Sequence, residues 1–121
     1  MPPKALQSTI SDDDTFKATV EDDSDPRLHV VDVHATWCGP CKQMIPTWKS
    51  LQLNYDNFDD RINLVICDAE KIATFEKYKG TACPRFIFYK GGKEVENVEG
   101  ANAPAILRAI EHHVPPLEQE D

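Results

Sequence analysis

The sequence predicts an α/β fold with a central mixed sheet, parallel in its core and finished by an antiparallel hairpin at its C-terminal end. Three observations carry the prediction. Two nearly continuous apolar stretches, residues 28–34 and 62–67, read as strands buried on both faces, as in the core of a parallel sheet. Between them, residues 42 to about 58 place Met44, Trp48, Leu51, Tyr55 and Phe58 at helical spacing, so a helical crossover joins two parallel strands. Finally, Phe86-Ile87-Phe88-Tyr89 runs into Lys90-Gly91-Gly92-Lys93 and returns as residues 94–98, the pattern of a hairpin.

The 121 residues form one domain, residues 1–121, with 115–121 as an acidic tail. That length buries roughly two-thirds of the chain's surface without disulfide staples. Leu6, Ser8 and Ile10 alternate as in an edge strand. Ser11 stands three residues before Asp14, a capping-box-like helix start that Asp12 and Asp13 reinforce through the helix dipole. Phe16 and Val20 give that short helix its one apolar face. Asp22-Asp23-Ser24-Asp25-Pro26 ends it, a charge run that reads as a solvated loop or, less simply, as a docking surface. The long helix carries Pro46 in its interior, where a lost ladder hydrogen bond bends it. Ile72, Phe75 and Tyr78 mark a short helix closed by Gly80, and Cys67 before it reads as a small buried hydrophobe. Asn102 caps a last helix with Ala103, Ile106, Leu107, Ile110 and Val114 on one face. His112 and His113 lie at its end, and Pro115-Pro116 stops it.

The chemistry sits at Trp37-Cys38-Gly39-Pro40-Cys41, between the first strong strand and the long helix. Two cysteines separated by two residues at such a junction read as a dithiol redox motif. Residues three apart in a first helical turn share a face, so the two sulfurs approach to bonding distance with little strain. A helix N-terminus there favours a thiolate at Cys38, which makes it the nucleophile. Cys41, one turn in and on the apolar stripe, suits the resolving role, in which it attacks the mixed disulfide and releases the reduced substrate. Gly39 and Pro40 fit the turn, since a proline at a helix start has no hydrogen bond to lose. The competing readings are a structural disulfide and half of a zinc site. Zinc requires two further ligands, and no second Cys or His pair stands at ligand spacing. Asp32, six residues before Cys38 in a strand buried on both faces, carries a carboxyl that burial should raise. It reads either as a proton carrier for the dithiol or as a core polar group satisfied by water or a hydroxyl.

A formal charge of −8 argues against a nucleic-acid backbone or an anionic membrane surface as partner. No apolar run approaches spanning length, and Met1-Pro2-Pro3-Lys4 lacks a signal peptide's hydrophobic region, so the expected location is cytoplasmic. Four cysteines, two of them in one motif, do not make a disulfide scaffold. No cofactor and no metal are expected.

Asp32, Trp37 to Cys41, Pro46, Pro84 and Gly100, at their mutual offsets, resemble the thioredoxin family over nearly the whole chain. The resemblance implies the thioredoxin fold, with helices on both faces of the sheet. It implies catalytic roles for Cys38, Cys41 and Asp32, the last passing protons to and from Cys41. It also implies a cis Pro84 facing the active site, a substrate backbone paired with Cys83, and a groove completed by Gly100 and Ala101. Trp37, Gly39 and Pro40 join Cys83, Pro84, Gly100 and Ala101 as substrate-binding residues. Three departures stand out. Thioredoxins usually place a Lys or Glu near the buried Asp, but Leu64, Val65 and Ile66 are apolar, so Asp32 is expected to stay neutral over much of the near-neutral range. His34 stands where an aromatic such as Trp is common. Cys83 replaces the usual Ile, Thr or Met; it reads as an inert contact, an alternative disulfide partner, or part of a metal-binding cluster.

Residues 77–80, 83–89 and 100–104 look further like the thioredoxin-related light chains of ciliary and flagellar outer-arm dynein. That likeness implies a redox-active motor subunit in the axoneme, partnered by dynein heavy chain or another motor subunit and by protein thiols or disulfides. The alternative is a free cytosolic thioredoxin, a general protein disulfide reductase recycled by a thioredoxin reductase. The same scaffold hosts both uses.

Overall fold

The computed structural model describes residues 6–80 and 84–116. Its elements follow the order β1 (Ser8–Ile10), α1 (Asp13–Thr19), β2 (Leu28–His34), α2 (Ile45–Asn54), α3 (Phe58–Arg61), β3 (Ile62–Asp68), a 3-10 turn (Ala73–Tyr78), β4 (Arg85–Lys90), β5 (Lys93–Glu99) and α4 (Ala103–His113). The five strands form one sheet in the order β1-β3-β2-β4-β5. β1 and β2 each run parallel to β3, while β4 is antiparallel to both β2 and β5. This is the mixed sheet expected, with β2 at its centre.

Strand alternation sends successive side chains of β2 to opposite faces. Leu28 and Val30 join a core made with Trp48 and Leu51 of α2, Phe58 of α3, Phe86 and Phe88 of β4, and Ile106 and Ile110 of α4. Val31 and Val33 join a second core with Phe16 of α1, Val65 and Cys67 of β3, and Phe75 of the 3-10 turn. Both faces of the sheet are therefore covered, and the near-continuous apolar character of β2 follows from that. Trp48 is fully buried and packs edge-on against Phe86, with ring centroids 6.0 Å apart.

Local expectations are corrected in three helices. Asp12, not Ser11, caps α1: its carboxylate accepts hydrogen bonds from the Thr15 amide at 2.7 Å and the Thr15 hydroxyl at 2.9 Å. The helix expected from residue 42 begins at Ile45, which puts Pro46 in its first turn rather than in its interior. A proline there loses no ladder bond and bends nothing. The helix also stops at Asn54, and Asn57 in the left-handed region (φ 55°) separates it from the single turn α3. On α4, Ala109 rather than Leu107 joins the buried face, and Leu107 is 39% exposed. Asn102 caps that helix as expected, its Oδ1 accepting from the Ala105 amide at 3.2 Å.

Candidate functional site

The site is assembled at the carboxyl end of β2, where parallel sheets commonly present their ligands. The chain leaves β2 at His34 and turns rather than entering a helix. The Ala35 carbonyl accepts from the Cys38 and Gly39 amides, both at 3.2 Å, and Gly39 adopts φ 70°, a conformation that glycine takes without a Cβ penalty. This turn is tied to the sheet through Thr36. Its hydroxyl lies 2.6 and 2.7 Å from the two Asp68 carboxylate oxygens and 2.8 Å from Glu70 Oε2. The Glu70 amide also donates to Asp68 at 2.9 Å. Burial pushes the Asp68 carboxyl up, but the Thr36 and Glu70 bonds and the nearby His34 and Lys71 charges outweigh it and hold the group below its usual range.

Because α2 starts at Ile45, the expected helix N-terminus under Cys38 is not there. The Cys38 sulfur instead donates to the Ala35 carbonyl at 3.3 Å. Cys38 is exposed, and Cys41 is half-buried against the core beneath α2. Both are free thiols, as is the buried Cys67. Trp37 is 67% exposed beside them. A shallow cavity of about 220 Å³ is lined by His34, Cys38, Gly39, Pro40, Cys41 and Pro84, together with Lys42 and Gln43. Gly100 and Ala101 do not line this cavity. Gly100, at φ 81°, is held next to it by its amide, which donates to the Pro84 carbonyl at 2.7 Å, and Ala101 packs on the adjoining core. Cys83, and with it the Cys83–Pro84 peptide bond, lies outside the described residues.

Asp32 is 1% exposed, and among the described residues neither carboxylate oxygen has a hydrogen-bond partner. Its cross-strand neighbours are Ile66 and Phe86. Burial pushes the carboxyl up to about 6, against a lowering influence from His34 and smaller ones from the Cys41 amide and Gln7, which approach without hydrogen-bond geometry. Asp32 is therefore raised as expected, into the near-neutral range. Cys67, sealed in the opposite face, has its thiol pushed up to about 12 by burial and by the Asp32 charge. Its burial matches the small buried hydrophobe expected of it.

Two features escaped the sequence. The pairing of His34 with Asp68 in register requires knowing that β2 and β3 are neighbours. The Thr36 anchor joins residues 32 apart in the chain, and a lone threonine in a loop carries no signal for it. A larger concavity of about 460 Å³ lies at the opposite end of β2, lined by Asp25, Arg27, Asp59, Arg61 and Pro115 among others. It carries no thiol. Arg27 is paired with Asp25 at 2.8 Å and Arg61 donates to the Pro115 carbonyl at 2.9 Å, so its cations are committed to structure. Among the described residues no cluster of His, Cys, Asp and Glu is arranged to hold a metal ion, and no helix is long and apolar enough to cross a membrane.

A five-stranded mixed sheet with helices on both faces and a Cys-Gly-Pro-Cys turn at the end of its central strand defines a thioredoxin-type protein. The chain belongs to the thioredoxin family, whose model matches residues 7–112. Thioredoxin NaTrxh of Nicotiana alata superposes with a TM-score of 0.71 at 27% identity, over 95% of this chain and 98% of that one. The 14 kDa light chain of the flagellar outer-arm dynein of Chlamydomonas reinhardtii is 38% identical over 69% of this chain and 63% of its own length. Human thioredoxin domain-containing protein 6 is 35% identical over 88% of this chain, which spans only 31% of that relative's length.

Proposed function

We propose that the chain is a thiol–disulfide exchange module in which Cys38 attacks, Cys41 resolves and Asp32 takes up the Cys41 proton. The observation that carries this reading is the graded burial of the three groups: Cys38 exposed, Cys41 half-buried and Asp32 fully buried. The Cys38 thiolate attacks a substrate disulfide, forms a mixed disulfide and expels one substrate thiolate, which takes a proton from water. Cys41 then yields its proton to the Asp32 carboxylate and attacks the Cys38 sulfur. A Cys38–Cys41 bond forms as the bond to the substrate breaks, and the second substrate thiolate leaves. Two electrons pass from the dithiol to the substrate, so a further thiol donor must reduce the protein before it can turn over again. Trp37, Gly39, Pro40, Pro84, Gly100 and Ala101 supply the surface on which an extended substrate backbone lies. Cys83 completes that set as the residue before Pro84.

The setting proposed for this module is a redox-active light chain of axonemal outer-arm dynein, in a cilium or flagellum. Dynein heavy chain or another motor subunit is the partner. Its support is the likeness to the Chlamydomonas light chain. The second reading is a free cytoplasmic disulfide reductase recycled by a thioredoxin reductase. That reading is favoured by superposition on a solved thioredoxin over nearly the full length of both chains.

The chemistry is tested by trapping. Cys41→Ser is expected to accumulate mixed disulfides with protein substrates and Cys38→Ser to accumulate none, and equal trapping by both would sink the assignment. Fractionation of native extract separates the two settings, since a motor subunit co-migrates with a very large complex and a free enzyme runs as a small protein.

A further inference from the structure

Because α2 begins at Ile45, no helix spans Cys38 and Cys41, and something else must keep the two sulfurs within reach of each other. Cys41 is held by packing, half-buried against the core that Met44, Trp48 and Phe86 help to form. Cys38 is exposed and has no such packing. Its position is set by the Ala35 carbonyl, which accepts from the Cys38 and Gly39 amides at 3.2 Å and from the Cys38 thiol at 3.3 Å. His34 Nδ1 lies 2.9 Å from the same oxygen. One backbone carbonyl thus gathers the whole turn that carries the attacking sulfur.

The next residue aims that carbonyl. A peptide group is planar, so the Ala35 oxygen and the Thr36 Cα lie in one plane, and a Thr36 pinned by its side chain leaves the oxygen little freedom to swing. Thr36 stands at the surface, yet its hydroxyl lies 2.6 and 2.7 Å from the two Asp68 carboxylate oxygens and 2.8 Å from Glu70 Oε2. A hydroxyl has one hydrogen to donate, and Asp68 is the acceptor best placed to receive it. Its carboxylate is buried and is itself fixed by the Glu70 amide, which donates at 2.9 Å. Asp68 ends β3, in register with His34 at the end of β2, so the far end of the tie is the rigid centre of the sheet. A continuous line of contacts therefore runs from Asp68 through the Thr36 hydroxyl and the Ala35 carbonyl to Cys38.

We infer that Thr36 is a positioning residue of the dithiol: pinned to Asp68, it holds Cys38 within reach of Cys41 for the step in which the disulfide closes. The inference rests on the dithiol reading above. In that step the Cys41 proton passes to Asp32, the electron pair left on Cys41 forms the bond to the Cys38 sulfur, and the substrate leaves as a thiolate. Attack and closure make different demands on the turn. The first uses an exposed sulfur and a freely diffusing disulfide, which can meet that sulfur wherever it stands. Closure is unimolecular, and its rate follows the fraction of time the two sulfurs spend in attack geometry. Loosening the turn slows closure and spares attack.

The test mixes a limiting aromatic disulfide with excess reduced protein and follows the released aromatic thiolate by stopped flow. Attack by Cys38 releases the first thiolate at a rate proportional to protein concentration, and closure releases the second at a rate independent of it, so one trace reads both steps. Thr36→Val keeps the shape of the side chain and removes the hydroxyl. It is expected to slow closure about three- to tenfold while changing attack by less than about twofold. Thr36→Ser restores the hydroxyl and is expected to return closure to within about twofold of the parent. Thr36→Ala is a second hydroxyl deletion if Thr36→Val does not fold. Gly92→Ala, at the far end of the β4–β5 hairpin, controls for lost stability: its added Cβ meets the Glu21 carbonyl, so it is expected to lower the urea midpoint and leave both rates alone. Unchanged closure in the hydroxyl deletions overturns the inference, as does equal slowing of attack and closure, or a Thr36→Ser that closes as slowly as Thr36→Val. Failure of the dithiol reading is separately visible in the parent, whose second release would then be missing or would rise with protein concentration, whatever the Thr36 variants do.

Discussion

Replacing Asp32 by Asn isolates the energetic consequence of an unpaired carboxyl at the centre of the sheet. In the unfolded chain the group titrates near 3.8, and in the folded protein burial moves it to about 6. A carboxyl raised on folding contributes stability that is fully present below the unfolded value and lost as pH rises through the folded value. At 1.36 kcal/mol per unit, the gap between 3.8 and about 6 amounts to about 3 kcal/mol lost by pH 8, most of it, about 2 kcal/mol, between pH 4 and pH 8. Asp32→Asn does not titrate. The fixed cost of burying an amide in place of a carboxyl is the same at every pH and cancels from the comparison. Urea unfolding of both proteins in excess reductant at pH 4, 6 and 8, with unchanged m-values, is expected to show the variant gaining about 2 kcal/mol on the parent across that range. The titrating groups remote from Asp32 are common to both proteins and drop out. A constant offset between the two stability curves would refute the reasoning, because it would mean that Asp32 titrates alike in the folded and unfolded states. The same variant is expected to slow resolution by Cys41 more than the initial attack by Cys38, since only the former needs a proton acceptor.

The β4–β5 turn offers a paired test. At Gly92 (φ 80°) an added Cβ would stand 2.8 Å from the Glu21 carbonyl oxygen, whereas at Gly91 (φ 62°) it would meet nothing within 4 Å. Gly92→Ala is therefore expected to cost about 2–3 kcal/mol in urea unfolding and Gly91→Ala about 1 kcal/mol, and equal costs would contradict the contact. Cys67, sealed in the core with its thiol pushed up to about 12, is expected to resist iodoacetamide at pH 8 in the native state and to react on unfolding, as read by peptide mapping. Modification of Cys67 at a rate similar to that of Cys38 in the native protein would refute this.

Local pattern determined much of this protein. The apolar runs of β2 and β3 can be buried only between two helical layers, the Gly91-Gly92 turn closes only a hairpin, and the spacing of Cys38 and Cys41 at a strand end marks a dithiol before any coordinate is known. Each of these signals is short in range, so it survives reading one segment at a time. Tertiary structure decided where α2 begins. Helical spacing of apolar residues continues back through Met44 and Cys41, because both pack on the core, but the left-handed Gly39 and the tie from Thr36 to Asp68 and Glu70 hold that stretch as turns until Ile45. It likewise decided the charge state of Asp32. Whether a carboxyl is ionised depends on how completely other elements exclude water from it and on which charges they leave nearby. Here α2, β3 and β4 supply the exclusion, which is the main reason the Asp32 carboxyl is raised. The sequence shows which groups can ionise, but their balance is a property of the packed sheet.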